Sequence, residues 1–268
     1  MKEFKIKLNK DKSVILTLDK DVYIFGATAI MLNKDNYSKD LEVINPYTKE
    51  KLDVILGDKN KLIVPAHNGE DYNLAKKYNL KIKQVVAPYF KGYGEESLRE
   101  DKPVQERHSV IFIVKHPKED KYIGLDCKNR ACNSFVLGGI DGDELPEEAA
   151  LRELKEETGY TDCKIDFISN FRIINHFYAG YKGVNRYSFL NIVFGTLSSL
   201  ENIGISDNEN AKHIVKWINK EDLKDFINID NNKYALEMLL NGERAFCEDG
   251  IIINTGKYDR LESKEFKI

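Results

Sequence analysis

Three glutamates near the middle of the chain have types and spacing that suit a cation site. Glu153, Glu156 and Glu157 stand at positions i, i+3 and i+4, so on a helix their carboxylates project from one face. Like charges this close repel one another and raise carboxylate pKa values unless a cation neutralises them. Because all the donors are oxygens, the spacing predicts a site for a hard divalent ion, Mg²⁺ or Mn²⁺.

The neighbouring residues predict the helix that this spacing requires. Pro146 suits the first turn of a helix, because proline has no N–H to leave unpaired there. Gly159 suits the C-terminal end, so residues 146–158 are predicted to be helical. Gly138 and Gly139 follow a strand-like run at 134–137 and allow the backbone to come close to the helix and to a substrate.

The whole segment resembles the Nudix box. The matching pattern is Gly138, five residues, Glu144, seven residues, Arg152-Glu153-Leu154, one residue, Glu156-Glu157, one residue and Gly159. Tyr160 departs from the family, which usually has an aliphatic residue there. The resemblance implies hydrolysis of a nucleoside diphosphate linked to another group.

The resemblance also implies roles for individual residues. Glu153, Glu156 and Glu157 would bind the metal ion, and Glu156 would belong to the catalytic group with Glu153, the candidate base. Arg152 would orient Glu153 by a bidentate contact, and Glu144 would contribute from the loop. Gly138 and Gly139 would approach the substrate. Two alternatives stay open: a solvated acidic helix face, and a Nudix fold that binds a nucleotide without cleaving it.

Aromatic and basic residues after this segment provide candidate substrate contacts. Tyr178 and Arg186 lie in the stretch IINHFYAGYKGVNRYSF, where an aromatic ring can stack on a base and arginine can bind phosphate. The alternative is a purely structural role, in which this stretch forms the core of strands and only the tips of the side chains are solvated. Further along, Glu201, Asp207 and Glu209 lie where such folds often place an extra metal carboxylate, and of these we favour Glu209.

The flanks resemble the editing (connective-peptide) domain inserted in leucyl-tRNA synthetases. The segments that carry this resemblance are FGAT at 25–28, DLEVINPYTKEKL at 40–52, VPAHNGEDYNLAKKYNLKIKQVV at 64–86 and EDGIIINTGKYDRL at 248–261. They lie on both sides of the Nudix-like unit, so the flanks are expected to fold together as one discontinuous domain. Synthetase signatures for amino-acid activation do not occur, which predicts a freestanding editing-like module if Met1 is the true start.

Two departures from the editing pattern bear on deacylation. Thr17 stands alone where the family has a Thr-rich stretch, and the Gly-rich segment before VPAH is missing. Asp71 matches the aspartate that anchors an α-amino group, but Asn68 and Glu70 replace other residues of that motif. Either a residual amino-acid or adenosine pocket persists at His67 and Asp71, or the flanks keep the fold and have lost the hydrolytic site.

These resemblances together predict the architecture, in classes α/β and α+β. A Nudix α/β/α sandwich around a mixed sheet, residues 106–242, is inserted into a discontinuous, β-rich editing-like α+β domain of residues 1–105 and 243–268. Residues 89–103 combine glycines, a proline and a charge run, which is typical of a linker.

Composition restricts the class of partner. Lys and Arg total 41 against 44 Asp and Glu, a net charge of −3, whereas a protein that coats nucleic acid by charge alone is basic. A small nucleotide substrate is therefore favoured over tRNA. The four cysteines form no CxxC pair, which favours reduced thiols in a cytoplasmic protein. No apolar run is long enough to span a membrane.

Overall fold

The computed structural model describes residues 1–9, 11–128, 132–241 and 251–252. Of these, residues 1–88 and 251–252 form one compact unit, and residues 89–241 form another. Both units combine helices with β-sheets, so the predicted mixture of α/β and α+β classes is confirmed. No helix among the described residues is long and apolar enough to cross a membrane.

The first unit is built from a β-hairpin and a four-stranded sheet. Its elements are β1 (Lys2–Lys7), β2 (Ser13–Leu18), β3 (Ala29–Leu32), β4 (Val43–Ile44), β5 (Lys51–Leu56), β6 (Lys61–Ile63), α1 (Gly69–Tyr78) and β7 (Val86–Ala87). Strands β1 and β2 pair antiparallel, and the four-stranded sheet has the order β4-β5-β3-β6. Short 3₁₀ helices at Asp21–Gly26 and Pro65–His67 connect the strands.

The second unit contains the longest strands and the acidic helix. Its elements are β8 (Tyr89–Lys91), β9 (Val104–Lys115), β10 (Lys121–Cys127), β11 (Asn133–Ser134), β12 (Val136–Gly139), α2 (Pro146–Thr158), β13 (Cys163–Ala179), β14 (Val184–Leu197), α3 (Asp207–Lys212), β15 (His213–Asn219), α4 (Leu223–Phe226) and α5 (Asp230–Asn241). Short 3₁₀ helices lie at Gly94–Glu96 and Lys220–Asp222. The last described strand, β16 (Ile251–Ile252), pairs with β7 of the first unit.

The second unit has one mixed, eight-stranded sheet. Six strands follow the order β11-β10-β9-β14-β13-β8, while β12 pairs with β9 and β15 with β10. Strands β9 and β14 run parallel with unbroken register over their shared length, and β13 is antiparallel to β14. Residues directly opposite each other in this register share a face of the sheet, which determines the side chains that can meet.

One segment differs from its sequence-based interpretation. Residues 89–103 resemble a linker in composition, but the structure pairs Tyr89–Lys91 with Ile174–His176 as a parallel edge strand. The three-residue strand β8 is too short to show a periodic pattern next to the charged residues that follow it. The compact units accordingly divide between residues 88 and 89.

Helix α2 begins and ends where the sequence predicts. The Leu145 N–H donates to the Glu148 carboxylate at 2.9 Å, which satisfies one free donor at the start of the helix. Gly159 ends the helix in the left-handed conformation, with φ of +77°. Ala149, Ala150 and Leu154 are buried against the sheet. This apolar stripe fixes the rotation of α2 about its axis and therefore the direction of its glutamates.

Candidate active site

The carboxylate of Glu153 lies directly over the backbone of Gly138. A methyl group built on Gly138 would lie 1.8 Å from Cδ of Glu153, well inside van der Waals contact. Only glycine leaves this space free, so Gly138 and Glu153 depend on each other. Burial raises the pKa of Glu153, while its hydrogen bond to Arg152 acts in the opposite direction.

Arg152 connects the loop after β12 with the glutamates of α2. Its Nε and Nη2 atoms donate to the two oxygens of Glu144 at 3.0 Å each. Nη1 donates to Glu153 at 2.8 Å and to Glu156 at 3.3 Å, and Nη2 also donates to the Gly139 carbonyl at 2.7 Å. The bidentate contact that the resemblance assigns to Glu153 is therefore made to Glu144, because Glu144 presents both oxygens to the fork of the guanidinium. These bonds, first of all those to Glu144, raise the pKa of Arg152.

Glu157 turns inward from the same helix. Its carboxylate accepts a hydrogen bond from the Leu137 N–H at 3.2 Å. Burial raises the pKa of Glu157 to about 8, and the charges of Glu153 and Glu209 add to the rise. Glu156, by contrast, has 54% of its side chain exposed and contacts Arg152. The three glutamates thus share one region, although each has a different environment.

Glu209 approaches this region from a distant part of the sequence. Helix α3 carries it, and its side chain is only 19% exposed and pairs with Lys212, Nζ to Oε1, at 2.5 Å. Of Glu201, Asp207 and Glu209, only Glu209 influences the pKa of Glu157. Sequence alone offered only the family resemblance as a signal for Glu209, whereas Lys212 was not identified at all.

The donor set suits a hard divalent cation. Glu153, Glu157 and Glu209 supply only carboxylate oxygens, and the raised pKa of the Glu157 carboxyl reflects a buried acid beside two further acids. A shared cation would offset that burial and repulsion. In residues 1–9, 11–128, 132–241 and 251–252, however, no three His, Cys, Asp or Glu side chains converge with metal-binding geometry. Instead, Arg152 pairs with Glu153 and Lys212 pairs with Glu209 as counter-ions.

The structure separates the predicted substrate contacts from the glutamates. Arg186 is buried and lies opposite Phe177 and Gln105. Asn191 of β14 lies opposite Val110 of β9, which lies opposite Gly138 of β12, so these three residues form one row across the sheet and share a face. Arg186 is an odd number of residues from Asn191 along β14. Because side chains alternate between the faces of a strand, Arg186 lies on the other face of the sheet. Tyr178 does lie on the same face as Gly138, but three rows away, which is about 20 Å along the strands. The guanidinium of Arg99 lies 5.2 Å from the centre of the Tyr178 ring.

A different group of side chains lies on the same face of the sheet as Gly138. Arg172 is in the same row as Asn191, Val110 and Gly138. The next row holds His108 and Phe189, whose rings stack with centres 5.4 Å apart and planes 15° apart. The Arg172 guanidinium lies 4.9 Å from the centre of Phe189, and 46% of the His108 side chain is exposed. We call His108, Phe189 and Arg172 the aromatic platform.

In the first unit, His67 and Asp71 are buried and support the fold. Nε2 of His67 accepts a hydrogen bond from the Val85 N–H at 3.0 Å, and the imidazole stacks on Tyr23 at 4.9 Å. Asp71 accepts from the Val64 N–H at 2.8 Å and pairs with Lys61 at 2.5 Å. Neither side chain is more than a few per cent exposed. His67 accepts from the backbone next to β7, and Asp71 accepts from the backbone next to β6.

Two protein-family models match the chain. One, the NUDIX domain, matches residues 101–238. The other, described as the leucyl-tRNA synthetase editing domain, matches residues 25–111. The resemblance of the first flank to an editing domain is confirmed. The resembling segment at 248–261 lies outside the described residues, apart from Ile251 and Ile252.

Curated relatives match about a third of the chain and are themselves much longer proteins. A leucine–tRNA ligase from Fervidobacterium nodosum is 34% identical over 95 residues, which cover 32% of this chain and 11% of the ligase. A leucine–tRNA ligase from Borrelia turicatae is 30% identical over 132 residues, which cover 32% of this chain and 16% of the ligase. The chain thus spans less than a fifth of either relative.

Solved structures resemble about half of the chain. A NUDIX hydrolase from Nitrosomonas europaea is 17% identical with a TM-score of 0.40, covering 52% of this chain and 92% of that one. An Ap4A hydrolase from C. elegans is 18% identical with a TM-score of 0.38, covering 51% and 95%. A NUDIX-family hydrolase from Clostridium perfringens is 25% identical with a TM-score of 0.36, covering 50% and 99%.

Proposed function

Because the chain belongs to the Nudix family, whose domain model covers more than half of it, we propose that it is a Mg²⁺- or Mn²⁺-dependent hydrolase of a nucleoside diphosphate-linked phosphoanhydride. The prediction of a Nudix pyrophosphohydrolase is confirmed at the level of the family. The observation that supports the metal-dependent activity is the carboxylate of Glu153 over the Gly138 backbone, together with the buried Glu157, whose pKa is raised by burial and by the charges of Glu153 and Glu209. We expect a cytoplasmic enzyme, as the cysteine composition favours.

The proposed cation ligands are Glu153, Glu156 and Glu157, together with Glu209. A divalent ion held by carboxylates polarises the phosphorus of a bound diphosphate and neutralises charge that develops on its oxygens. Glu157 is suited to a fixed ligand, since the Leu137 N–H orients its carboxylate. Glu156 is exposed and can change rotamer to reach the same ion.

Glu153 is the proposed general base. Its partly buried carboxyl group has a raised pKa, which strengthens its ability to accept a proton from an attacking water. Arg152 is a positioning residue: it holds one oxygen of Glu153 at 2.8 Å and is itself fixed by Glu144 and by the Gly139 carbonyl. The other oxygen of Glu153 stays available for the water.

The aromatic platform is the proposed site for the nucleoside. The exposed ring of His108 can stack on a base, and Phe189 supports the imidazole from below. Arg172 lies on β13, three strands across the sheet from Gly138, and can bind a phosphate group of the substrate next to Phe189. These residues take the substrate-binding role that the sequence predicted for Tyr178 and Arg186.

An adenine-containing substrate is our preferred hypothesis, since editing domains act at the terminal adenosine of tRNA and the first flank matches such a domain. A metal-dependent release assay across nucleoside diphosphate sugars, dinucleotides, dNTPs and aminoacyl adenylates tests it. We expect turnover with adenine compounds that requires Mg²⁺ or Mn²⁺. Turnover restricted to non-adenine compounds would reject the adenine hypothesis, and turnover of none would reject the hydrolase.

A second candidate function is an editing module that acts on tRNA in trans or only binds aminoacyl-adenosine. The match of residues 25–111 favours it, while the burial of His67 and Asp71 disfavours deacylation. We propose that residues 1–105 and 243–268 keep an editing-like fold around the inserted Nudix domain at 106–242. Deacylation of misacylated tRNA that survives Glu153→Gln and disappears in Asp71→Ala would support the second candidate.

A further inference from the structure

Helix α3 and the strand after it are attached to the last turn of α2. His213 follows Lys212 directly, and its Nε2 lies 2.7 Å from the backbone carbonyl of Glu157. The adjacent Lys212 Nζ lies 2.5 Å from Oε1 of Glu209. The lysine and its partner are therefore held beside the turn of α2 that carries Glu157.

The backbone of Lys212 is fixed from the opposite side as well. The Lys128 N–H donates to the Lys212 carbonyl at 2.8 Å, and the Lys128 side chain donates to the Asn210 carbonyl. The side chain of Lys212, by contrast, is 55% exposed. Its ammonium group can thus leave Glu209 without any change in the path of the chain.

The charge of Lys212 acts on several carboxylates at once. Its ion pair with Glu209 raises the pKa of Lys212, and the charges of Glu157 and Glu153 contribute further. The positive charge of Arg152 likewise acts on two carboxylates, because Arg152 forms ion pairs with Glu153 and Glu156. The charge of Arg107 also acts on Glu153. In the absence of a metal ion, the described carboxylates of the region therefore have side-chain cations as partners, and Lys212 is the one paired with Glu209.

We propose that Lys212 is an internal counter-ion that competes with the divalent cation for Glu209. In the cation-free protein, Lys212 neutralises Glu209 beside Glu157; when the cation binds, the ammonium group is displaced from Glu209 into solvent. Lys212 therefore weakens cation affinity and stabilises the cation-free fold. This inference rests on the proposed function, which places a cation at these glutamates.

Titration of the full chain with Mn²⁺ by calorimetry tests the inference. Lys212→Met should bind Mn²⁺ roughly fivefold or more tightly than the native chain, because one repelling charge is removed and Glu209 is released. Lys212→Arg should keep native affinity. Lys216→Met is the matched control, since Lys216 also forms a 2.5 Å ion pair, with Asp126, and should bind Mn²⁺ as the native chain does.

Two further measurements separate competition from a purely structural role. The cation-free Lys212→Met protein should melt at a lower temperature than the native chain and gain more from saturating Mn²⁺. In a Glu209→Gln background, Lys212→Met should lose most of its effect on affinity. Unchanged or weaker Mn²⁺ binding by Lys212→Met, or an equal effect with and without Glu209, would overturn the inference. Absence of Mn²⁺ binding by the native chain would reject the proposed function together with it.

Discussion

The carboxylate of Glu157 accepts a hydrogen bond from the backbone N–H of Leu137 at 3.2 Å, so a buried acid of helix α2 is attached to the first residues of strand β12. The contact orients the acid and connects the helix to the strand that supplies Gly138. Burial opposes ionisation of this carboxyl group and raises its pKa to about 8, although the hydrogen bond from Leu137 acts in the opposite direction. Stability of the cation-free protein should depend on this group.

The cation-free protein should lose stability as pH rises from about 5 to about 8. The folded protein keeps the Glu157 proton up to about pH 8, while the unfolded chain releases it near the ordinary value of 4.5. The folded state therefore binds more protons in this window, and stability falls with pH. Glu157→Gln should reduce this slope and stabilise the protein at pH 8 by a few kcal/mol, since one pKa unit corresponds to about 1.4 kcal/mol.

Chemical denaturation at pH 5 and pH 8 in the presence of a chelator measures this effect. Glu156→Gln is the matched control, because Glu156 lies on the same helix but is exposed and should leave the pH slope nearly unchanged. Equal slopes for the native chain and Glu157→Gln would contradict the assignment of a raised pKa to Glu157.

A methyl group on Gly138 should displace Glu153. Since that methyl would lie 1.8 Å from Cδ of Glu153, Gly138→Ala should destabilise the fold by about 1–3 kcal/mol and lower kcat more than it raises KM. Gly180→Ala is the control, because the nearest atom to its new methyl is 3.5 Å away. Native kcat in Gly138→Ala would show that the position of Glu153 over the glycine does not matter for turnover.

Loss of the His108 ring should weaken binding of nucleosides but not of pyrophosphate. His108→Ala, made in a Glu153→Gln background to prevent turnover, should bind a nucleoside diphosphate about tenfold more weakly. Tyr181→Ala serves as the control, because Tyr181 is 65% exposed outside the aromatic platform. If pyrophosphate and the nucleoside diphosphate lose affinity equally, the ring does not contact the base.

The sequence predicted the local features of this site better than the distant ones. Helix α2, its proline start and its glycine end follow from short-range preferences. Gly138 and Gly139, predicted to follow a strand, are instead the last two residues of β12. The charge of Glu209 raises the pKa of Glu157 because the chain after β14 returns to α2. Spacing along the sequence does not predict this return.

Strand register explains why the sequence did not identify the proposed aromatic platform. Tyr178 and Arg186 are close in sequence, but alternation along β13 and β14 places them on opposite faces of the sheet. The partnership of His108, Phe189 and Arg172 requires three strands in register. In the same way, His67 and Asp71 are buried through hydrogen bonds with the backbone of Val85 and Val64, which a motif comparison does not reveal.

The most direct test of the central claim is the Mg²⁺-dependent turnover of a nucleoside diphosphate derivative by the native chain, Glu153→Gln and Glu147→Gln. Removal of the proposed base should lower kcat by about 10²- to 10⁴-fold without loss of the folded state, while Glu147→Gln, in the first turn of the same helix, should retain native activity. Equal turnover by the native chain and Glu153→Gln would contradict the assignment of hydrolysis to this site.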